Sequence, residues 1–144
     1  MINFERAHPE DVSYLVKVSE QAFLNAKTTL PEGYNDYNWL FQAMTSAYLF
    51  KILFNGSLIG GFLVYKIGAH NYQLDRLFIL PEYQNIGIGK KAIDFLIKRF
   101  PEAKVWFTDV EPTWQKYTYF LSKCGFFESA CYGKNSIRYI KLIK

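Results

Sequence analysis

Two histidines and two cysteines in 144 residues leave little from which to build a metal site or a thiol–imidazole catalyst. Cys124 and Cys131 lie seven apart with no histidine cluster beside them, which argues against zinc and against a disulfide and places the chain in a reducing compartment. Both read as small apolar residues. His8 and His70 are distant in sequence and fall near predicted element ends, so no Ser-His-Asp arrangement can be drawn through them. The opening residues Met1 to Arg6 carry no basic segment followed by an apolar one. The longest apolar runs, Tyr48 to Phe54 and Leu58 to Tyr65, are short and interrupted. No membrane association is expected, and a soluble, cytoplasmic protein is. Basic residues number 17 and acidic ones 13, and the net charge of +4 is spread along the chain, so no nucleic-acid groove is expected, only a modest preference for anionic ligands. Repeats and linkers are absent too, and with half its residues apolar the chain suits one packed domain over residues 1–144.

What is present is an ordered alternation of strands and helices. Ile2 to Ala7 alternates as a strand does, and Val12, Leu15, Val16 and Phe23 fit a helix after Pro9-Glu10-Asp11. Leu30 to Asn35 is loop chemistry, with Asp36 placed to cap a second helix through Trp39, Leu40 and Ala43. Ala47 to Phe54 and Leu58 to Ile67 read as a hairpin across Asn55-Gly56-Ser57, and Tyr72 to Leu80 as the next strand. Ile93, Leu96, Ile97 and Phe100 make a helical stripe ended by Pro101, and Lys104 to Thr108 is rich in strand formers. Thr113 to Cys124 reads as a helix closing at Gly125. Phe126 to Tyr132 and Ile137 to Ile143 form a final hairpin across Gly133-Lys134-Asn135, whose edge could pair with a second copy; monomer and homodimer both stay open.

The chemistry concentrates in Gln84-Asn85-Ile86-Gly87-Ile88-Gly89-Lys90, between a strand and a helix start. Such a junction exposes backbone N–H groups at the positive end of a helix dipole, and glycines let a phosphate approach them. Together with Pro81-Glu82-Tyr83 ahead of it, this run resembles the acetyl-CoA loop of the GNAT family of N-acetyltransferases, Gln/Arg-x-x-Gly-x-Gly/Ala. Lys123-Cys124-Gly125-Phe126 is similar to that family's late Lys-x-Gly-Phe, and the element order resembles the family's across nearly the whole chain.

The resemblance implies an α/β fold: a mixed, largely antiparallel twisted sheet of about seven strands with about four helices, splayed between the fourth and fifth strands. It implies acetyl-CoA as co-substrate, without a metal. The pyrophosphate would sit on the backbone of Ile86, Gly87, Ile88, Gly89 and Lys90, next to Asn85 and the side-chain amide of Gln84. The pantetheine arm would pair with Leu77, Phe78 and Ile79. The acceptor would be a primary amine of a small molecule or peptide. Asp75, six residues before Pro81, stands where many members carry a glutamate base. On strand periodicity it shares a face with Leu77 and Ile79, while Arg76 points the other way. The family's tyrosine acid falls on Leu121, and Tyr117, one helical turn earlier, is the substitute. Tyr34 and Trp114 are the expected substrate-rim aromatics.

Two other readings use the same residues. One is a CoA-binding sensor that has lost turnover, supported by Leu121. The other is a dinucleotide fold, since Gly87-Ile88-Gly89-Lys90-Lys91-Ala92 fits its fingerprint and Asp109 lies twenty residues after Gly89. Six residues between strand and first glycine weigh against the second.

Overall fold

The computed structural model describes residues 1–24, 30–132 and 136–144. Its strands form one seven-stranded sheet in the order β1-β2-β3-β4-β5-β7-β6: β1 (Ile2–Arg6), β2 (Tyr48–Phe54), β3 (Ser57–Lys66), β4 (Asn71–Ile79), β5 (Val105–Val110), β6 (Phe127–Tyr132) and β7 (Ser136–Leu142). Every neighbouring pair is antiparallel except β4 and β5. The β2–β3 turn is Asn55-Gly56, both at positive φ as a tight hairpin turn requires. The expected turn Gly133-Lys134-Asn135 lies outside the described residues.

Helices cover both faces. α1 (Val12–Ala22) and α2 (Tyr37–Ser46) pack Val12, Leu15, Leu40 and Ala43 against Leu49, Leu63 and Phe78. Asp36 caps α2 by accepting from the Trp39 amide at 3.1 Å. The other face receives α3 (Ile88–Arg99) and α4 (Gln115–Lys123), whose Ile88, Ala92, Ile93, Leu96 and Leu121 meet Phe50, Phe62, Tyr72, Leu74 and Trp106. Helix α3 begins inside the glycine run, where Ile88 is apolar and buried and belongs to the first turn. None of the helices among the described residues is long and apolar enough to cross a membrane.

Strand β4 departs from simple alternation. In its register with β3, Leu63 faces Arg76 while Val64 faces Leu74, which leaves Asp75 as an extra residue. An extra residue shifts the rest of the strand to the opposite face. Leu74 and, beyond the bulge, Leu77 and Ile79 all pack toward α3, whereas Phe78 belongs to the α1–α2 core. The expectation that Arg76 points away from Asp75 is therefore corrected. The two side chains meet, Arg76 Nε donating to Asp75 Oδ2 at 2.6 Å. The antiparallel β3–β4 pair also removes the dinucleotide reading, which needs a parallel doubly wound sheet.

Leu121 has no exposed surface. Leu121→Ala should lower stability by about 2–5 kcal/mol, read as a reduced urea midpoint.

Candidate functional site

The parallel β4–β5 ladder lasts three registers, Asn71↔Val105, Tyr72↔Trp106 and Gln73↔Phe107, and then stops. From there β4 stays paired with β3 as far as Ile79 while β5 pairs with β7, so the two strands diverge. An open cleft of about 1780 Å³ fills the gap, lined by both strands, the glycine loop, α4 and residues of the segment before α2. Among the described residues the β5-facing edge of Leu77, Phe78 and Ile79 has no strand partner, and such an edge offers a row of backbone donors and acceptors.

A 3-10 turn at Pro81–Tyr83 carries the chain from β4 into the glycine loop. Asn85 and Gly87 both take left-handed backbone, φ 63° and 89°, and Gly87 is the N-cap of α3 with no side chain to close it. The first helical bond is from the Lys91 amide to the Gly87 carbonyl, at 3.2 Å. The amides of Ile88, Gly89 and Lys90 lie before it, at the positive end of the helix, where an anion is favoured. A Cβ on Gly87 would meet no atom within 4 Å, whereas one on Gly89 would come within 2.9 Å of the Phe120 ring. The first glycine leaves the approach to the amides open; the second lets α3 and α4 come together. The Gln84 Nε2 donates to the Ile79 carbonyl at 2.8 Å, fastening the loop to the end of β4. Ile86 is exposed, and Lys90 pairs with Asp94 across an exposed helical turn, an interaction worth little in water.

Asp75 borders the cleft at the bulge. Arg76, 8% exposed, occupies one of its carboxylate oxygens, donates through Nη1 to the Glu32 carbonyl at 2.6 Å, and lies with its guanidinium carbon 4.4 Å from the centre of the Trp39 ring. Tyr65 stands close by, its phenol pushed up by burial and by the charge of Asp75. Across the cleft, Tyr117 stacks on Phe120 and meets Trp114 edge-on. Its hydroxyl is buried and, among the described residues, closes no geometric hydrogen bond, although the Thr108 side chain beside it works to lower its pKa. Burial, aided by the charge of Asp75, drives this phenol far above its usual range, so it keeps its proton at neutral pH. Cys124 also borders the cleft, and burial raises its thiol.

Phe23 joins the rim. Its ring centre is 6.2 Å from Trp114, 6.3 Å from Tyr34 and 6.4 Å from Phe78. Trp114 borders the cleft directly, and Tyr34 reaches it through Phe23. Charge is divided between the walls. Lys90, Lys116 and Lys123 come from α3 and α4, while Glu32, Asp75, Asp109 and Glu111 come from the opposite segment and the ends of β4 and β5. Asp109, the ribose ligand of the rejected reading, is held by Arg138 through both oxygens at 2.8 and 3.0 Å.

The family model of the acetyltransferase (GNAT) family matches residues 13–126. The chain belongs to that family. Among curated proteins it resembles the uncharacterized protein YrkN of Bacillus subtilis, 33% identical over 95 residues, which are 64% of this chain and 50% of that protein. The chain thus spans about half the length of the curated relative it matches. Among solved structures it is similar to an acetyltransferase from Thermus thermophilus, with TM-score 0.85 and 17% identity over 99% of this chain and 97% of that one. A PaiA N-acetyltransferase from Thermoplasma acidophilum in complex with coenzyme A superposes with TM-score 0.84 and 18% identity, covering 99% of each chain. A GNAT acetyltransferase from Elizabethkingia anophelis with acetyl-CoA bound gives 0.71 and 15%, covering 99% of this chain and 98% of that one. At these identities the likeness speaks for the fold.

The two loop glycines should separate in a stability measurement. Gly87→Ala should cost about 1–2 kcal/mol from left-handed strain alone. Gly89→Val should cost more, because the added side chain must displace Phe120. Urea denaturation of both variants compares them.

Proposed function

We propose that this protein transfers an acetyl group from acetyl-CoA to a primary amine of a small molecule or peptide by direct attack. The observation that carries the reading is the convergence of an open helix N-terminus, an unpaired β4 edge and the Asp75 carboxylate on one cleft.

The open approach at Gly87 suits a pyrophosphate, which would sit on the backbone from Ile86 to Lys90 with Asn85 turning the loop. Gln84 then acts first by holding that loop to β4, with its second amide hydrogen left for phosphate. The pantetheine arm would lie along Leu77, Phe78 and Ile79, completing the ladder that β5 abandons. This directs the thioester toward Asp75 and Tyr117. The acceptor would enter between Phe23, Trp114 and the acidic wall, where a cationic amine is attracted.

An alkyl amine has a solution pKa of about 10, so it must lose a proton before it attacks. Among the described residues Oδ1 of Asp75 has no hydrogen-bond partner, and it is the acceptor for that proton, directly or through water. The nitrogen then forms a bond to the thioester carbonyl carbon and the carbon–sulfur bond breaks. The departing thiolate takes a proton from Tyr117 or from water, its own pKa of about 8.5 making it a tolerable leaving group. Leu121 cannot supply that proton; its position lies in the core. This is the observation behind the second reading, a CoA-binding sensor without turnover.

Thermal melting with acetyl-CoA, CoA, NAD and NADP, followed by thiol detection against alkylamines, diamines, arylethylamines and dipeptides, tests both. A rise in midpoint with CoA species together with amine-dependent thiol release is expected. Binding without release would leave the sensor, and a shift with NAD or NADP alone would end both readings. Asp75→Asn should slow transfer by about a hundredfold or more while keeping the acetyl-CoA shift. Tyr117→Phe should slow it by about a hundredfold if the phenol protonates sulfur. With that phenol protonated well past pH 10, the wild-type rate should show no decline from its ionisation up to pH 9.

A further inference from the structure

The segment of residues 30–36 borders the acceptor side of the cleft, yet little of it is tied to the body of the protein by backbone pairing: its backbone bonds, Tyr34 N to Pro31 O, Asp36 N to Gly33 O and Leu40 N to the Asp36 carbonyl, close within the segment or run into the α2 cap. What reaches it from the sheet is Arg76. We propose that Arg76 is a positioning residue that sets the acceptor segment and the Asp75 carboxylate together, so that the acceptor side is assembled and the proton acceptor aimed by one side chain. This rests on the acetyltransferase reading for its kinetic consequence, though not for its structural one.

Three contacts made by a single planar group carry the argument. Nε donates to Asp75 Oδ2 at 2.6 Å, Nη1 donates to the Glu32 carbonyl at 2.6 Å, and the guanidinium face lies 4.4 Å from the Trp39 ring centre. Trp39 in turn is the surface on which the segment rests, since a Cβ added to Gly33 would overlap its ring. The bulge at Asp75 makes this possible by bringing Arg76 to the α1–α2 side while its neighbour stays at the cleft. With Oδ2 taken, Oδ1 is the oxygen left for the amine proton. A guanidinium carries separate donors and a stacking face in one fixed plane, whereas a lysine has a single ammonium and no face.

The test uses the whole protein and the amine that turns over fastest in the panel above. Arg76→Gln should speed hydrogen exchange in peptides covering residues 30–36 by about tenfold or more. It should lower kcat/KM for the amine by about tenfold or more and leave the KM for acetyl-CoA within about twofold. Arg76→Lys keeps a charge beside Asp75 and should recover part of the rate without recovering the protection. Gly33→Ala lifts the segment off Trp39 without touching the sheet, and should reproduce the faster exchange and the lowered kcat/KM for the amine even where Arg76→Gln does not fold. Unchanged exchange in Arg76→Gln, an acetyl-CoA KM that rises by about as large a factor as the amine kcat/KM falls, or full recovery of protection by lysine would each overturn the proposal. If the wild type gives no acetyl-CoA shift and no thiol release, the acetyltransferase reading fails instead, and the exchange comparison still decides the role of Arg76.

Discussion

Strand β4 keeps β5 as a neighbour for three residues and loses it for the remainder of its length, and the site arises from that loss. Backbone donors and acceptors in a folded protein need partners. An edge left open inside a sheet would be a defect if it faced a dry core, but here it faces a cleft. The glycine loop repeats the logic one turn later, with three helix amides that have no intrahelical acceptor and an N-cap that has no side chain. The walls of the cleft thus offer largely unused backbone hydrogen-bonding capacity, a way to attract an anionic group that does not depend on the chain's net charge of only +4.

Much of this was legible in the sequence where a local rule decides the structure. Asn55-Gly56 marks a hairpin because few residues accept two positive φ angles in succession. Asp36 caps a helix with its own carboxylate, and Gly87 opens another at φ 89°. The order of elements and the glycine loop were equally readable. The bulge at Asp75 was not, because period-two reasoning assumes one residue per step and carries no signal for an insertion. Once the bulge is missed, Asp75 is placed on the face of Leu77 and Ile79 and away from Arg76, and the contact between the two neighbours goes unseen. Its burial depends on Trp39, which is distant in sequence and arrives by tertiary folding. The hold of the Gln84 side chain on β4 was hidden for a similar reason: nothing local shows that the Ile79 carbonyl lies within 2.8 Å.

A buried ion pair is a poor device for stability, since desolvating two charges costs several kcal/mol that their attraction often fails to return. The Asp75–Arg76 pair sits beside a cleft, with side chains 25% and 7% exposed. Its arginine also donates to the Glu32 carbonyl, so its contribution lies in geometry. Asp109 and Arg138 form a second pair at the cleft, closed through both carboxylate oxygens. The two pairs differ in how many carboxylate oxygens they use. Among the described residues, Asp109 has both oxygens engaged, whereas Asp75 has one held and one without a hydrogen-bond partner.

The same contrast separates Leu121 from Tyr117. A phenol at position 121 would have to replace a side chain with no exposed surface, packed in the core with α3, so the absence of a tyrosine there is a consequence of where α4 sits. One turn earlier the helix presents Tyr117 at the boundary between that core and the cleft, buried enough to keep its proton and, among the described residues, without a partner for its hydroxyl. A buried polar group without a partner carries a desolvation cost of about 1–3 kcal/mol. That cost is relieved when a ligand atom able to accept its hydrogen bond lies in the cleft. The buried hydroxyl and the open β4 edge are then two instances of one arrangement, hydrogen-bonding groups on opposite sides of the cleft that have no partner among the described residues.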